Sequence, residues 1–340
     1  MPATAPPIWL PTGPARWSGL EVSRPRLILF YHVEKTGGTA VMKWLHKMAS
    51  YQLTNPNYSR LTSLMDFTHT SCFFSLHEEL FPGYSKAWDP RRCKAPKKPD
   101  WKRSAVAVEF HSYTRRRYWL ELVPYLPALR ARYAAVNGTL LTVATFREPR
   151  SHIMSSYHMW PPSHRCKCGG STVLKHALPL PSWLPNAVGL QAGSLSLDSW
   201  VSKNKGFHNL HGCDALPLAR VRLQTFDLVG VMDCIASLLT AMCTRLDWPC
   251  EEDAPRMELA LKQSLRFKPH GVSPRGLLMR EAIASGRLAA LNATIATRVM
   301  TAAACDRAIY DDALRRIRLP PPARAGEALN RSMCAGASYV

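Results

Sequence analysis

Short apolar runs alternate along the chain with stretches whose apolar residues recur at helical spacing. Four runs have the length and composition of buried strands: Arg26–Tyr31, Ala105–Phe110, Thr139–Phe146 and Phe226–Val231. Behind the first and last runs, apolar residues share one helix face: Val41, Trp44, Leu45 and Met48, then Ile235, Leu238, Leu239 and Met242. Buried strands that alternate with amphipathic helices predict an α/β fold with a parallel sheet flanked by helices.

The same pattern divides the chain into three parts: a flexible leader at 1–25, one domain at 26–318 and a flexible tail at 319–340. The leader is rich in Pro, and the tail is rich in Pro, Ala and Arg. Within the domain, 51–104 and 161–195 lack periodicity and are predicted to be irregular, whereas 255–318 is mostly helical in pattern. The domain is long enough for a single core.

Polar residues follow three of the predicted strands directly: Lys35–Thr39, His111 and Arg147. Ligands of parallel sheets bind beyond the carboxyl ends of the strands. We therefore expect these residues to lie along one edge of the sheet.

The turn after the first strand has the composition of an anion-binding loop. It reads His-Val-Glu-Lys-Thr-Gly-Gly-Thr over 32–39. Its glycines let the backbone approach an anion, and the following helix points N–H groups and its positive end at the same place. Lys35 adds a full charge, and Thr36 and Thr39 add hydroxyl donors. A Walker A loop needs an earlier Gly and the order Gly-Lys-Ser/Thr, so a nucleoside triphosphate loop is a poor match.

The order Lys-Thr-Gly-Gly-Thr after a strand resembles the 5′-phosphosulfate loop of the Golgi carbohydrate sulfotransferases, most closely the heparan sulfate 2-O- and 6-O-sulfotransferase group. Residues 145–155 (TFREPRSHIMS) resemble the 3′-phosphate motif of that family, with Arg147 and Ser155 at its Arg and Ser positions. Glu148 replaces the commoner Asp and is expected to cap or orient. The likeness is close at these two motifs and loose over the rest of 26–318.

The resemblance implies a P-loop-like sulfotransferase fold and 3′-phosphoadenosine 5′-phosphosulfate (PAPS) as co-substrate, with no metal. The donor would be held by the two motifs: Lys35, Thr36, Gly37, Gly38, Thr39, Arg147 and Ser155. Sulfuryl transfer also needs a base for the acceptor hydroxyl and a cation for the leaving phosphate. Lys35 is the expected cation.

His111 is the expected base, because a similar strand of the 6-O-sulfotransferases ends in a His assigned that role. Glu109 lies two residues earlier on the same strand face, so it is either an alternative base or the residue that orients the imidazole. His32 and His158 also lie near the donor motifs and are expected to pack or support.

The chain carries 44 Lys and Arg against 24 Asp and Glu, a formal net charge of +20. This excess requires an anionic partner, and the basic segment 86–104 and Arg115–Arg117 would lie near the acceptor entrance. We expect an anionic carbohydrate acceptor, a glycan or glycosaminoglycan-like chain, although a merely solvated basic loop fits 86–104 as well. Nucleic acid is not expected, because no aromatic-interleaved basic motif is apparent.

Two other functions remain open on the sequence, an ATP-dependent phosphotransferase and a non-catalytic polyanion-binding module. The phosphotransferase lacks a Walker A loop and a convincing strand-end Asp for Mg²⁺. The binding module would leave Lys35 and Arg147, both at strand ends, without a purpose.

Ten cysteines and four Asn-x-Ser/Thr triplets favour a secretory lumen with some disulfides, and the resemblance implies the Golgi lumen. Cys234 and Cys243 lie in apolar surroundings that are also typical of core residues. The triplets begin at Asn57, Asn137, Asn292 and Asn330. The leader has no apolar run of signal-peptide length, so membrane association is expected only through a segment absent from this chain.

Overall fold

The computed structural model describes residues 24–33, 36–51, 63–65, 70–82, 93, 98–111, 119, 121–159, 190–196, 213, 216–248, 293–319, 329, 333–334 and 337–339. These residues form five strands: β1 (Arg26–His32), β2 (Ser63–Met65), β3 (Ala105–His111), β4 (Thr139–Phe146) and β5 (Leu228–Val231). The α-helices are α1 (Gly38–Tyr51), α2 (Thr70–Leu76), α3 (Leu126–Ala134), α4 (Pro149–Met159), α5 (Leu190–Ser196), α6 (Leu216–Leu223), α7 (Ile235–Leu246) and α8 (Ala293–Arg316). Short 3₁₀ turns span Trp101–Arg103, Val123–Tyr125 and Met232–Cys234.

The five strands form one sheet in the order β2-β3-β1-β4-β5, and every pair is parallel. The predicted α/β class and parallel sheet are thus confirmed. All seven residues of β1 are buried, as its apolar sequence requires for a central strand. From β1 the chain continues to β2 on one side of the sheet, and from β4 it continues to β5 on the opposite side. Such a reversal opens a crevice beyond the carboxyl ends of β1 and β4.

Helices cover both faces of the sheet. On one face, Ile28 and Phe30 pack against apolar residues of α1 and α7, among them Trp44 and Leu239. On the opposite face, Leu27, Leu29 and Tyr31 belong to a larger cluster to which α2, α3, α5, α6 and α8 contribute. This alternation along β1 is the period-two pattern of a strand buried on both sides.

The predicted strands agree with the structure to within two residues at each end. β4 has the predicted bounds, β1 and β3 each extend one residue to reach a histidine, and β5 begins at Leu228 instead of Phe226. The prediction for 51–104 was wrong in part, because β2 and α2 lie there. Strand β2 has only three residues, which is too short for a period to show.

Part of the predicted flexible tail is attached to the core. Leu319, Leu329 and Cys334 are buried, and Cys334 forms a disulfide with Cys234 at the end of β5. The backbone N–H of Leu329 also donates to Asp233 at 3.4 Å. These long-range contacts leave no periodic signal in a Pro- and Ala-rich sequence, so composition alone could not reveal them.

Three disulfides join cysteines far apart in sequence: Cys72–Cys93, Cys213–Cys305 and Cys234–Cys334. Cys243 is also disulfide-bonded, so all seven cysteines in the described ranges are oxidised. Cys234 and Cys243 are buried as expected, but as half-cystines and not as core thiols. Disulfides at this density indicate an oxidising, secretory-type environment. Among the helices in the described part of the chain, none is both long and apolar enough to cross a membrane.

Candidate functional site

The turn between β1 and α1 depends on two glycines. Gly37 has φ +94°, in the left-handed region that glycine adopts without penalty. A Cβ built on Gly37 would also lie 3.2 Å from Cγ of Met232, which follows β5. Helix α1 begins at Gly38, so its first backbone N–H groups lie at the carboxyl end of β1. The structure therefore forms the predicted glycine turn and helix start together.

Gly38 lies directly against the imidazole of His32. A Cβ on Gly38 would come within 2.0 Å of His32 Cδ2 and 2.2 Å of Nε2, far inside van der Waals contact. Only glycine therefore fits between α1 and the histidine at the end of β1.

The two threonines of the turn differ in what their hydroxyls do. Thr36 is fully buried, and its hydroxyl donates to the carbonyl oxygen of Val33 at 2.6 Å. Its oxygen also lies 3.0 Å from the hydroxyl of Thr145, which can donate to it and so ties the turn to β4. The Thr36 side chain thus braces the loop, whereas sequence analysis expected it to donate to a ligand. Thr39 is exposed on the first turn of α1. Lys35 lies outside the described residues.

Three titratable side chains cluster at the ends of β1 and β3. The parallel register pairs His32 with His111 and Phe30 with Glu109, which places both histidines and Glu109 on one face of the sheet. Nδ1 of His32 lies 2.6 Å from Oε1 of Glu109, and the His32 and His111 rings meet edge to face at 4.7 Å. The carboxylate accepts from Nδ1–H, which fixes the tautomer and leaves Nε2 facing Gly38.

The environments of the two histidines differ. Burial, and to a smaller extent the neighbouring His32, lowers the pKa of His111 to about 3. His111 is consequently uncharged near neutral pH and able to accept a proton. The described hydrogen bond of Glu109 is made with His32. Its two expected roles, an alternative base or the residue that orients the His111 ring, stay predictions. His32 was expected to pack or support, and it lies between Glu109, His111 and the glycine turn.

Arg147 follows β4 directly and is partly buried. Burial lowers the pKa of Arg147, and the nearby carboxylates of Asp233 and Glu148 offset part of this shift. Glu148 accepts the backbone N–H of Arg150 at 3.2 Å and of Ser151 at 2.7 Å. Glu148 therefore caps the start of α4, which confirms the role predicted for it.

Ser155 lies on the second turn of α4, eight residues after Arg147. It is partly exposed, while the adjacent Ser156 is buried. Of the two serines, Ser155 is the one that a ligand can reach from solvent. His158 lies on the same helix, but its side chain is outside the described residues.

Two residues that sequence analysis did not single out hold Arg147 in place. Gln191 on α5 forms two hydrogen bonds with the backbone of Arg147, and Asp306 on α8 accepts N–H groups at the start of α5. Both residues are fully buried. Burial raises the pKa of Asp306 to about 7, although the hydrogen bonds from backbone N–H groups have the opposite effect. No local motif marks either residue, because each acts across more than forty positions of sequence.

The site thus combines a helix start with a glycine turn, a buried carboxylate–imidazole pair, an uncharged imidazole and a partly buried guanidinium. All of them lie at the carboxyl ends of β3, β1 and β4, which are adjacent in the sheet. The helix start and the guanidinium suit two anionic groups, and the histidines suit proton transfer. Comparison of the chain with protein-family models, with curated proteins and with solved structures finds no match.

Proposed function

We propose that this protein is a PAPS-dependent sulfotransferase, with a P-loop-like sulfotransferase fold, that transfers a sulfuryl group to a hydroxyl of a carbohydrate acceptor. One observation carries the proposal: the glycine turn, the histidine cluster and Arg147 lie on three adjacent parallel strands at one edge of the sheet. PAPS carries two anionic groups, the 5′-phosphosulfate and the 3′-phosphate, and this edge offers two separate places for anions.

The donor would be shared between the two motifs. The backbone N–H groups at Gly37–Thr39 and the exposed Thr39 hydroxyl would bind the 5′-phosphosulfate, with Lys35 as the expected cation. Arg147 and Ser155 would bind the 3′-phosphate through a guanidinium fork and a hydroxyl. Thr36 would shape the turn from within, since its hydroxyl already donates to Val33.

In the reaction, the acceptor oxygen bonds to sulfur while the bond between sulfur and the 5′-phosphate oxygen breaks. 3′-Phosphoadenosine 5′-phosphate (PAP) leaves, and the acceptor proton passes to His111. In the absence of ligand, the low pKa of His111 makes it a weak base. A bound anion nearby favours the charged imidazolium and raises that pKa, so the base strengthens when donor is present.

The acceptor would be an anionic glycan, in keeping with the net charge of +20. The disulfides agree with a secretory lumen, and we place the activity in the Golgi lumen. An ATP-dependent phosphotransferase would instead bind Mg·ATP in preference to PAP, and a polyanion-binding module without catalysis would bind neither nucleotide.

The test is calorimetric titration with PAP in the presence of EDTA. We expect micromolar binding by the wild type and a loss of about 10- to 100-fold in Arg147→Ala, since hydrogen bonds to charged groups contribute about 1.5–3 kcal/mol. Arg245→Ala is the matched control, because Arg245 is exposed in the last turn of α7 and removes the same charge away from the site. Absent binding, or equal binding by Arg147→Ala and wild type, would overturn the proposal.

A further inference from the structure

The peptide groups of Arg147 are clamped by one glutamine side chain. The amide oxygen of Gln191 accepts the Arg147 N–H at 2.9 Å, and its Nε2 donates to the Arg147 carbonyl oxygen at 2.9 Å. Arg147 stands between the last residue of β4 and the first turn of α4, where neither the sheet nor the helix supplies a full set of partners. Gln191 supplies a donor and an acceptor at once, as a neighbouring strand would.

The glutamine is itself fixed by a buried carboxylate. Oδ1 of Asp306 accepts the backbone N–H of Gln191 and of Ala192, each at 2.8 Å. Asp306 is fully buried on α8, and the preceding residue, Cys305, is tied to Cys213 by a disulfide. The start of α5 is therefore held against the longest helix described, and the glutamine side chain emerges from that fixed point.

The direction of a long guanidinium side chain depends on the backbone from which it starts. With its N–H and carbonyl both bonded, the Arg147 backbone has little freedom to rotate, and the side chain loses less entropy on binding an anion. We propose that Gln191 and Asp306 are positioning residues that set Arg147 for the 3′-phosphate of the donor. This inference rests on the proposed function and assigns the two residues no contact with the ligand.

The experiment measures how much the 3′-phosphate adds to binding. The dissociation constants of PAP and of adenosine 5′-phosphate, which lacks the 3′-phosphate, are determined by calorimetry. The constant for adenosine 5′-phosphate divided by the constant for PAP gives a ratio that is compared among variants. Gln191→Met keeps the volume and removes both hydrogen bonds, and we expect it to lower the ratio about tenfold, the scale of coupling within one hydrogen-bond network. The constant for adenosine 5′-phosphate should stay unchanged, because only the Arg147 end of the site has moved.

Asp306 provides a graded pair of variants. Asp306→Asn keeps an oxygen that can accept both N–H groups and should retain most of the ratio, whereas Asp306→Ala removes the acceptor and should lower the ratio as Gln191→Met does. The control is Asp311→Ala on the same helix, since Asp311 pairs with Arg307 at 2.8 Å and touches neither Gln191 nor Ala192 in the described hydrogen bonds. Gln191→Leu, which also removes both hydrogen bonds and adds no charge, serves if Gln191→Met does not fold.

The outcomes distinguish a failure of this inference from a failure of the proposed function on which it rests. A wild-type ratio close to one would mean that no 3′-phosphate site exists, and the proposed function would fail. A large wild-type ratio that Gln191→Met and Asp306→Ala leave intact would overturn the inference alone. Equal weakening of both nucleotides would also overturn it, because that result describes general loss of structure and not the placement of Arg147.

Discussion

Replacing Gly38 by alanine should disrupt the contact between the glycine turn and the histidine cluster. The new Cβ would stand 2.0, 2.2 and 2.5 Å from three atoms of the His32 ring. No small shift relieves three such overlaps, so the ring must turn or move. The ring is held by the 2.6 Å hydrogen bond to Glu109 and by stacking on Phe30 at 5.6 Å between centroids. Moving it therefore breaks the bond to the carboxylate.

The expected loss of stability follows from these two effects. Overpacking in a well-packed site costs about 1–3 kcal/mol. Loss of a buried hydrogen bond to a charged group costs about a further 1.5–3 kcal/mol. Gly38→Ala should thus lower the free energy of unfolding by roughly 2.5–6 kcal/mol, a large part of the about 5–15 kcal/mol typical of a domain.

A double-mutant cycle with His32→Ala isolates the contact. Because His32→Ala removes the atoms that the new Cβ meets, Gly38→Ala should cost at least about 1 kcal/mol less in that background. The assay is urea unfolding of the wild type, both single variants and the double variant. Gly230→Ala is the control, since its Cβ would meet the flexible end of Leu238 at 2.5 Å and should show no coupling to His32. Equal costs of Gly38→Ala with and without His32 would refute the packing argument.

Three further predictions concern protonation, catalysis and the turn. Burial lowers the pKa of His77 to about 3 from 6.5, so the unfolded chain binds more protons and stability should fall as pH drops below about 6.5, by up to about 1.4 kcal/mol per unit. Its ring nitrogens have no hydrogen-bond partner in the described structure, so His77→Phe should reduce the change of unfolding free energy between pH 7 and 5, as measured by urea unfolding. An unchanged pH dependence would contradict its assignment to His77. His111→Ala should lower sulfuryl transfer about 100- to 10,000-fold in a radiolabel assay with little change in PAP affinity, and an unaltered rate would exclude His111 as base. Thr36→Val should destabilise the protein by about 1–3 kcal/mol, because a buried acceptor loses its donor. Thr39→Val should change stability by no more than about 0.5 kcal/mol and should weaken PAP binding. If urea unfolding and calorimetry gave the reverse order, the roles of the two hydroxyls would be contradicted.

The elements that could be predicted from sequence are those with a local signal. Apolar runs placed β1, β3 and β4 closely, because central parallel strands are buried on both faces and read as continuous apolar segments. The rule that ligands bind beyond strand ends then predicted that the glycine turn, His111 and Arg147 lie at one edge of the sheet. The capping role of Glu148 was likewise local, since it acts on residues two and three positions away.

The parts that sequence could not supply depend on pairing between distant segments. The contact of His32 with Glu109 depends on the register between β1 and β3. The two histidines that directly follow predicted strands were a signal that could have suggested that these strand ends lie together. Gln191 and Asp306 have no such signal, because the roles of these two buried helical residues depend on hydrogen-bond partners that are distant in sequence. The Cys234–Cys334 disulfide, with a separation of 100 residues, could not be read from spacing for the same reason.

The most direct test of the central claim compares PAP with ATP on the wild-type protein, each titrated with EDTA and with Mg²⁺. A site built for PAPS should bind PAP without metal, at least about tenfold more tightly than Mg·ATP, and EDTA should leave that affinity unchanged. Binding of ATP that requires Mg²⁺ and exceeds the binding of PAP would identify a phosphotransferase and contradict the account. Binding of neither nucleotide by the folded protein would leave the polyanion-binding module as the better explanation of the basic chain.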